Sequence, residues 1–61
     1  MNNYFTQDLD FEITFINGKK LIETIPYNTE AYNNDSDEIL QDAKDYLTII
    51  YGKAIGVKRI G

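Results

Sequence analysis

Apolar and polar side chains alternate in residues 9–15, and this predicts a β-strand with one buried face. The apolar positions are Leu9, Phe11, Ile13 and Phe15, with Asp10, Glu12 and Thr14 between them. A period of two is typical of a strand that packs one face on a core. Asn17-Gly18 follows, and this pair between two apolar segments is a strong hairpin signal. We therefore expect a second strand over residues 19–25 that ends at Pro26, since proline cannot donate to a central ladder.

The register of this hairpin depends on its turn. A two-residue turn would place Glu12 opposite Glu23, a like-charge pair that destabilises a sheet. A three-residue loop with Gly18 in the left-handed conformation instead pairs Ile13 with Leu21, and it keeps the apolar side chains on one face. We prefer the second register because of these pairs.

An amphipathic helix is predicted after a loop over residues 26–35, in which there is room for one helical turn near residues 29–32. Asp35 is a typical N-cap, and Glu38 three residues later completes a pair that resembles a capping box. Apolar residues then recur at spacings of three and four, as on one face of a helix. They are Ile39, Ala43, Tyr46, Leu47 and Ile50. Gly52 is expected to end the helix in the left-handed cap position.

A last short strand is predicted over residues 54–60, where Ile55 and Val57 alternate with small or polar residues. The helix must cover the apolar face of the sheet, because nothing else can. The fold class is therefore α+β in the order ββαβ: a small β-hairpin, one helix and a C-terminal strand, with the helix packed on one face of a three-stranded sheet. Residues 1–61 form a single small domain. The third strand can lie parallel beside the second strand or beside the first, and the pattern leaves this open.

The composition argues against an enzyme and against a cofactor. The chain has no Cys and no His, so a disulfide, the usual zinc sites and the usual base for a serine nucleophile are missing. Asp10 and Glu12 share one strand face, but so short a chain has little volume for a catalytic cleft, and we interpret them as solvated. A calcium loop starting at Asn33 fails, because Glu38 and Lys44 stand where an EF-hand needs Gly and Glu.

Two further absences bear on location. No basic segment followed by an apolar one begins the chain, and no uncharged stretch is longer than residues 46–52, which are too few to span a bilayer. We therefore expect a cytoplasmic protein without a membrane partner.

Charge is distributed unevenly along the chain. Ten Asp and Glu outnumber six Lys and Arg, which gives a net charge of −4. Residues 30–45 carry most of the excess, with Lys44 as their single base, whereas residues 46–61 carry bases and no acid. From this charge distribution we expect a basic protein partner, and we do not expect direct binding of nucleic acid.

Acids interleaved with tyrosines in residues 27–45 suggest a function. Carboxylates along a helix can imitate a row of phosphates and meet a basic protein surface, while tyrosine is an effective interface anchor. The expected partner-binding residues are Tyr27, Tyr32, Asp35, Asp37, Glu38, Asp42 and Asp45. The simpler interpretation is a solvated helix face that keeps a small protein in solution. Our hypothesis is a small acidic protein-binding module, encoded by a phage or mobile element, that inhibits a basic nucleic-acid-processing or defence protein stoichiometrically.

The alternative function is a self-assembling structural homo-oligomer. If the first and last strands are both sheet edges, an open edge can pair with a copy and give a two-fold homodimer with a continuous sheet. Exposure of Ile16, Ile22 and Ile60 on the outer face of the sheet would favour this alternative.

Overall fold

The computed structural model describes residues 6–61 and contains three strands, one α-helix and one short 3-10 turn. The elements are β1 (Gln7–Thr14), β2 (Lys20–Tyr27), the 3-10 turn (Thr29–Tyr32), α1 (Ser36–Tyr51) and β3 (Gly56–Arg59). Their order confirms the predicted ββαβ arrangement and the α+β fold class. The helical turn predicted near residues 29–32 is also confirmed.

The three strands form one antiparallel sheet in the order β2-β1-β3. The third strand therefore lies beside the first, which decides the position that the pattern left open. β1 is the central strand, so the expectation that the first strand is an edge is wrong. The edge of β1 opposite β2 is hydrogen-bonded to β3 and the residues after it, where the N–H of Ile60 donates to the carbonyl of Asp10 over 2.9 Å. The edges are β2 and β3.

The hairpin has the predicted three-residue loop and register. Ile13 lies opposite Leu21, and Gly18 has a φ of 87°, a conformation that glycine adopts without a steric penalty. The N–H of Gly18 donates to the carbonyl of Phe15, and the N–H of Phe15 donates to the carbonyl of Lys19, each over 2.8 Å. The turn chemistry thus sets which side chains of β2 face the core.

Asp35 caps α1 as predicted. Its carboxylate accepts the N–H groups of Asp37 and Glu38 over 3.0 and 3.2 Å. The N–H of Asp35 itself donates to the carbonyl of Tyr32 in the 3-10 turn. In a capping box the side chain of Glu38 would accept this N–H instead. At the other end Gly52 has a positive φ of 93° but a ψ of 170°, which lies outside the left-handed helical region predicted for it.

The core lies between one face of the sheet and one face of α1. Its buried residues are Leu9, Phe11, Ile13, Tyr27, Ile39, Ala43 and Leu47. Three of them come from β1 and three from α1, whereas β2 contributes only Tyr27. The core is therefore centred on β1, with one buried residue from β2 and none from β3.

A candidate binding groove between the helix and the β2 edge

Part of the apolar surface of α1 is not covered by the sheet. Tyr46 and Ile50 were predicted to belong to the buried stripe, yet about half of each side chain is exposed. Ile49 beside them is 84% exposed. Residues three and four positions apart share one side of a helix, so these three form a continuous strip. Within the described residues nothing covers this strip.

An open groove of about 570 Å³ lies between the exposed strip and β2. The lining residues are Ile25, Pro26 and Tyr27 from β2, Asn28 and Tyr32 after it, and Asp42, Asp45, Tyr46 and Ile49 from α1. Its volume falls in the range of roughly 300–1,000 Å³ that is usual for binding sites. The lining combines apolar side chains with two carboxylates, and no base belongs to it in the part of the chain that the structure describes.

Asp42 anchors the wall of the groove to β2. The Tyr27 hydroxyl donates to Oδ2 of Asp42 over 2.9 Å, and the Tyr27 ring stands edge-on to the ring of Tyr32 at a centroid distance of 5.5 Å. Burial and the hydrogen bond to Asp42 raise the pKa of the Tyr27 phenol above its ordinary value. Loss of water and the charge of Asp42 also raise the pKa of Tyr32. Both phenols are therefore neutral donors beside one carboxylate.

A second bond of the same kind runs in the opposite direction. The Tyr51 hydroxyl on α1 donates to Oε2 of Glu23 on β2, and this hydrogen bond raises the pKa of Tyr51. Tyr51 also stands edge-on to Phe15 at 5.7 Å. Since the strand and the helix are joined at two points, the walls of the groove are held in place without a ligand.

The predicted partner-binding residues separate into two groups. Four of them, Tyr27, Tyr32, Asp42 and Asp45, line the groove. The other three, Asp35, Asp37 and Glu38, lie at the start of α1 outside the lining, where Asp35 uses its carboxylate as the helix cap. Tyr27 is only 6% exposed because its ring belongs to the core. It can support the groove, but it cannot be an anchor that becomes buried only on binding.

Five groove residues were not among the predicted ones: Ile25, Pro26 and Asn28 on the strand side, and Tyr46 and Ile49 on α1. Tyr46 fits the helical stripe and was therefore placed in the core. Ile49 lies off the stripe, and an isoleucine at a polar position of an amphipathic helix was the one signal that could have indicated an uncovered surface.

In the part of the chain that the structure describes, the backbone of β2 has an open edge beside this groove. Because the N–H of Phe15 donates to the carbonyl of Lys19, Lys19 belongs to a hydrogen-bonded pair, and such pairs alternate along an antiparallel ladder. The odd-numbered residues of β2 therefore direct their N–H and C=O groups to β1, and the even-numbered residues direct theirs away from the sheet. Pro26 is even-numbered, so it lies inside β2 without loss of a ladder bond, contrary to the prediction that it ends the strand.

The outer face of the sheet is mainly polar. The Thr24 hydroxyl donates to Oδ1 of Asp10 over 2.6 Å, and Lys20 lies 3.8 Å from Glu12. Ile22 is about half exposed there. Side chains alternate along the strand, and Arg59 lies on the helix side, opposite Phe11, so Ile60 lies on the outer face with Ile22. Ile60 is also about half exposed, and Ile16 is exposed in the hairpin loop. The isoleucines are thus accessible but are separated by the charged row of β1.

Comparisons with protein-family models, with curated proteins and with solved structures found no match for this chain. In residues 6–61 no helix has the length and apolar character needed to cross a membrane. Nor do three acidic side chains in this range converge on a point where a metal ion could be held. The groove and the β2 edge are therefore the features from which a function can be argued.

Proposed function

We propose that this protein is a small binding module that takes a basic segment of another protein into the groove between β2 and α1. The observation that carries the proposal is the groove itself, which is apolar at Ile25, Tyr46 and Ile49 and acidic at Asp42 and Asp45. Carboxylates at the rim of an apolar site favour a partner that carries both basic and apolar side chains.

Two side chains would supply most of the apolar contact. Tyr46 is half exposed and Ile49 is 84% exposed in the free protein. Covering both stabilises a complex by roughly 2–4 kcal/mol before the costs of association. Tyr46 takes the anchor role that was expected of Tyr27, because it has surface left to bury and a ring that loses little conformational entropy.

The proposed action is stoichiometric occupation of a basic surface. Asp42 and Asp45 would accelerate encounter with that surface by electrostatic steering, and the groove would hold the complex. A nucleic-acid-processing or defence protein is the class of partner that such an acidic module suits, since these proteins use basic surfaces to contact phosphates. Occupation of that surface would inhibit the partner, as expected of a module from a phage or mobile element.

Charge reversal at one groove carboxylate tests the proposal. Asp45 is exposed, and its Oδ1 accepts only the Gln41 side chain over 2.9 Å among the described contacts, so Asp45→Lys leaves the fold intact. Glu30→Lys makes the same charge change on the 3-10 turn, outside the groove lining. The tagged chain and both variants are used to capture proteins from a nuclease-treated lysate.

We expect Asp45→Lys to weaken capture of a basic partner at least about tenfold and Glu30→Lys to change it little. Binding should also fall as salt is raised, because exposed charges are screened. Equal losses in the two variants would indicate that only net charge matters, and unchanged capture in both would contradict the proposal.

Self-assembly is the second candidate, favoured by the exposure of Ile16, Ile22 and Ile60 and by the open edge of β2. Sedimentation velocity over a wide concentration range distinguishes the two. A dimer that Ile22→Lys dissociates would support self-assembly. A monomer at every concentration would leave the binding module as the better proposal.

A further inference from the structure

The open edge of β2 suggests how the partner of the proposed function binds. β2 has eight residues, and the N–H and C=O groups of Lys20, Ile22 and Thr24 point away from β1. Within residues 6–61 no other strand pairs with this edge, and an unpaired edge of this length is a template on which another strand can form. β3 has only four residues, so it offers a much shorter edge.

The edge and the groove lie side by side. The odd-numbered side chains of β2 point to the helix side of the sheet, and Ile25 and Tyr27 among them line the groove. A strand added beside β2 would direct every second side chain to this same side. Those side chains would meet Tyr46, Ile49 and Asp45 on α1.

We propose that the partner contributes an extended basic segment that pairs with the free edge of β2 as a fourth strand, with alternate side chains in the groove. The inference rests on the proposed function and adds the mode of binding. Backbone hydrogen bonds to Lys20, Ile22 and Thr24 give affinity that is independent of sequence. Asp42 and Asp45 select lysine or arginine at the positions that face them, since no base lines the groove among the residues described.

Charge disfavours a second copy of the chain as the added strand. Each copy carries a net charge of −4, and two-fold pairing through β2 would place both acidic helices on the same side of the joined sheet. Like charges brought together across an interface oppose association.

Amide hydrogen exchange of the full chain, followed by NMR, tests the inference. The probe is a synthetic peptide of about ten residues, the upper end of usual strand lengths, in which Lys and Val alternate. In the free protein the N–H groups of Ile22 and Thr24 should exchange quickly, while those of Leu21, Glu23 and Ile25 are protected by the ladder. Saturation with the peptide should slow exchange at Ile22 and Thr24 at least about tenfold.

The controls vary one property at a time. A peptide in which Glu replaces every Lys should not bind. Asp45→Lys should weaken binding of the Lys-Val peptide about tenfold, whereas Glu30→Lys should not.

Three outcomes would overturn the inference. If the peptide binds in the groove and exchange at Ile22 and Thr24 stays fast, the partner does not add a strand, although the proposed function survives. If the peptide does not bind below about 1 mM, a basic strand is not the ligand, whatever the lysate experiment captures. If Ile22 and Thr24 are already protected without peptide, a second copy or the chain itself occupies the edge, and the dependence on protein concentration identifies which.

Discussion

At the scale of single residues, two tyrosines join β2 to α1. Tyr27 on the strand donates to Asp42 on the helix, and Tyr51 on the helix donates to Glu23 on the strand. Each bond satisfies a phenol at the border of the core and ties an edge strand to the only α-helix in the described part of the chain. The same carboxylate that orients Tyr27 also lines the groove, so structure and proposed binding share Asp42.

Removal of one hydroxyl measures the strength of this link. Tyr27→Phe keeps the ring and deletes the bond to Asp42, so we expect it to lower the free energy of unfolding by about 1 kcal/mol. Tyr46→Phe makes the same chemical change at a half-exposed hydroxyl for which the described residues provide no partner. It should alter stability by less than about 0.5 kcal/mol. Equal effects in urea titrations of the two variants would contradict the role assigned to the bond.

The raised pKa values of Tyr27, Tyr32 and Tyr51 predict a loss of stability at alkaline pH. Below the ordinary tyrosine pKa of about 10, all three phenols are neutral in the folded and unfolded chain, so they add no pH dependence. Above it the unfolded chain releases these protons first, and stability falls with each further rise in pH.

Urea unfolding between about pH 9 and about pH 11.5 measures this dependence. Tyr27→Phe should show a shallower decline than the native chain, because it lacks one of the three groups. Parallel declines in the two proteins would show that Tyr27 does not cause the effect.

At the scale of elements, α1 is stabilised by the cap at its N-terminus, and part of its apolar surface is left uncovered by the sheet. Asp35 caps the helix through Asp37 and Glu38, and the buried Ile39, Ala43 and Leu47 hold it on the sheet. The sheet leaves Tyr46, Ile49 and Ile50 half or largely exposed. The groove lies where Tyr46 and Ile49 face β2.

The cap can be tested without a change in the core. Asp35→Ala removes the acceptor for two helical N–H groups and should cost about 1 kcal/mol of stability. Asp35→Ser retains a capping oxygen and should recover most of this loss. If alanine and serine are equivalent in thermal unfolding, the cap does not stabilise α1.

At the scale of the whole molecule, a chain of 61 residues has little stability to spare. A single core of this size rarely supplies more than about 3–5 kcal/mol. In the proposed function, the apolar surface that remains exposed serves binding, and the buried apolar surface serves folding. Leu47 and Ile49 lie two positions apart on α1 but differ in burial. Substitutions at the two positions therefore distinguish an effect on folding from an effect on binding.

Leu47 is fully buried, and Ile49 is largely exposed. Leu47→Ala should cost about 2–5 kcal/mol and leave much of the chain unfolded. Ile49→Ala should change stability by less than about 0.5 kcal/mol and still weaken partner binding severalfold. Circular dichroism and a binding titration of both variants check this. An Ile49→Ala variant that binds as well as the native chain would exclude the exposed strip from the interface.

Local chemistry in the sequence determined the elements and part of the candidate site. Asn17-Gly18 and the avoidance of a Glu12–Glu23 pair set the hairpin register, because turn type and cross-strand charge act between near neighbours. The helix cap at Asp35 is local for the same reason. Tyr32, Asp42 and Asp45 were likewise recognisable as acids and aromatics on a surface.

Only the tertiary structure decided the sheet order and the position of the groove. Whether the third strand lies beside β1 or β2 depends on how the helix crosses the sheet, and no neighbouring residue specifies that. Helical periodicity distinguishes apolar from polar sides, but it carries no information on the width of the surface opposite. Tyr27 is therefore buried and Tyr46 exposed, the reverse of the predicted roles, because packing between distant segments determines which apolar side chains are covered.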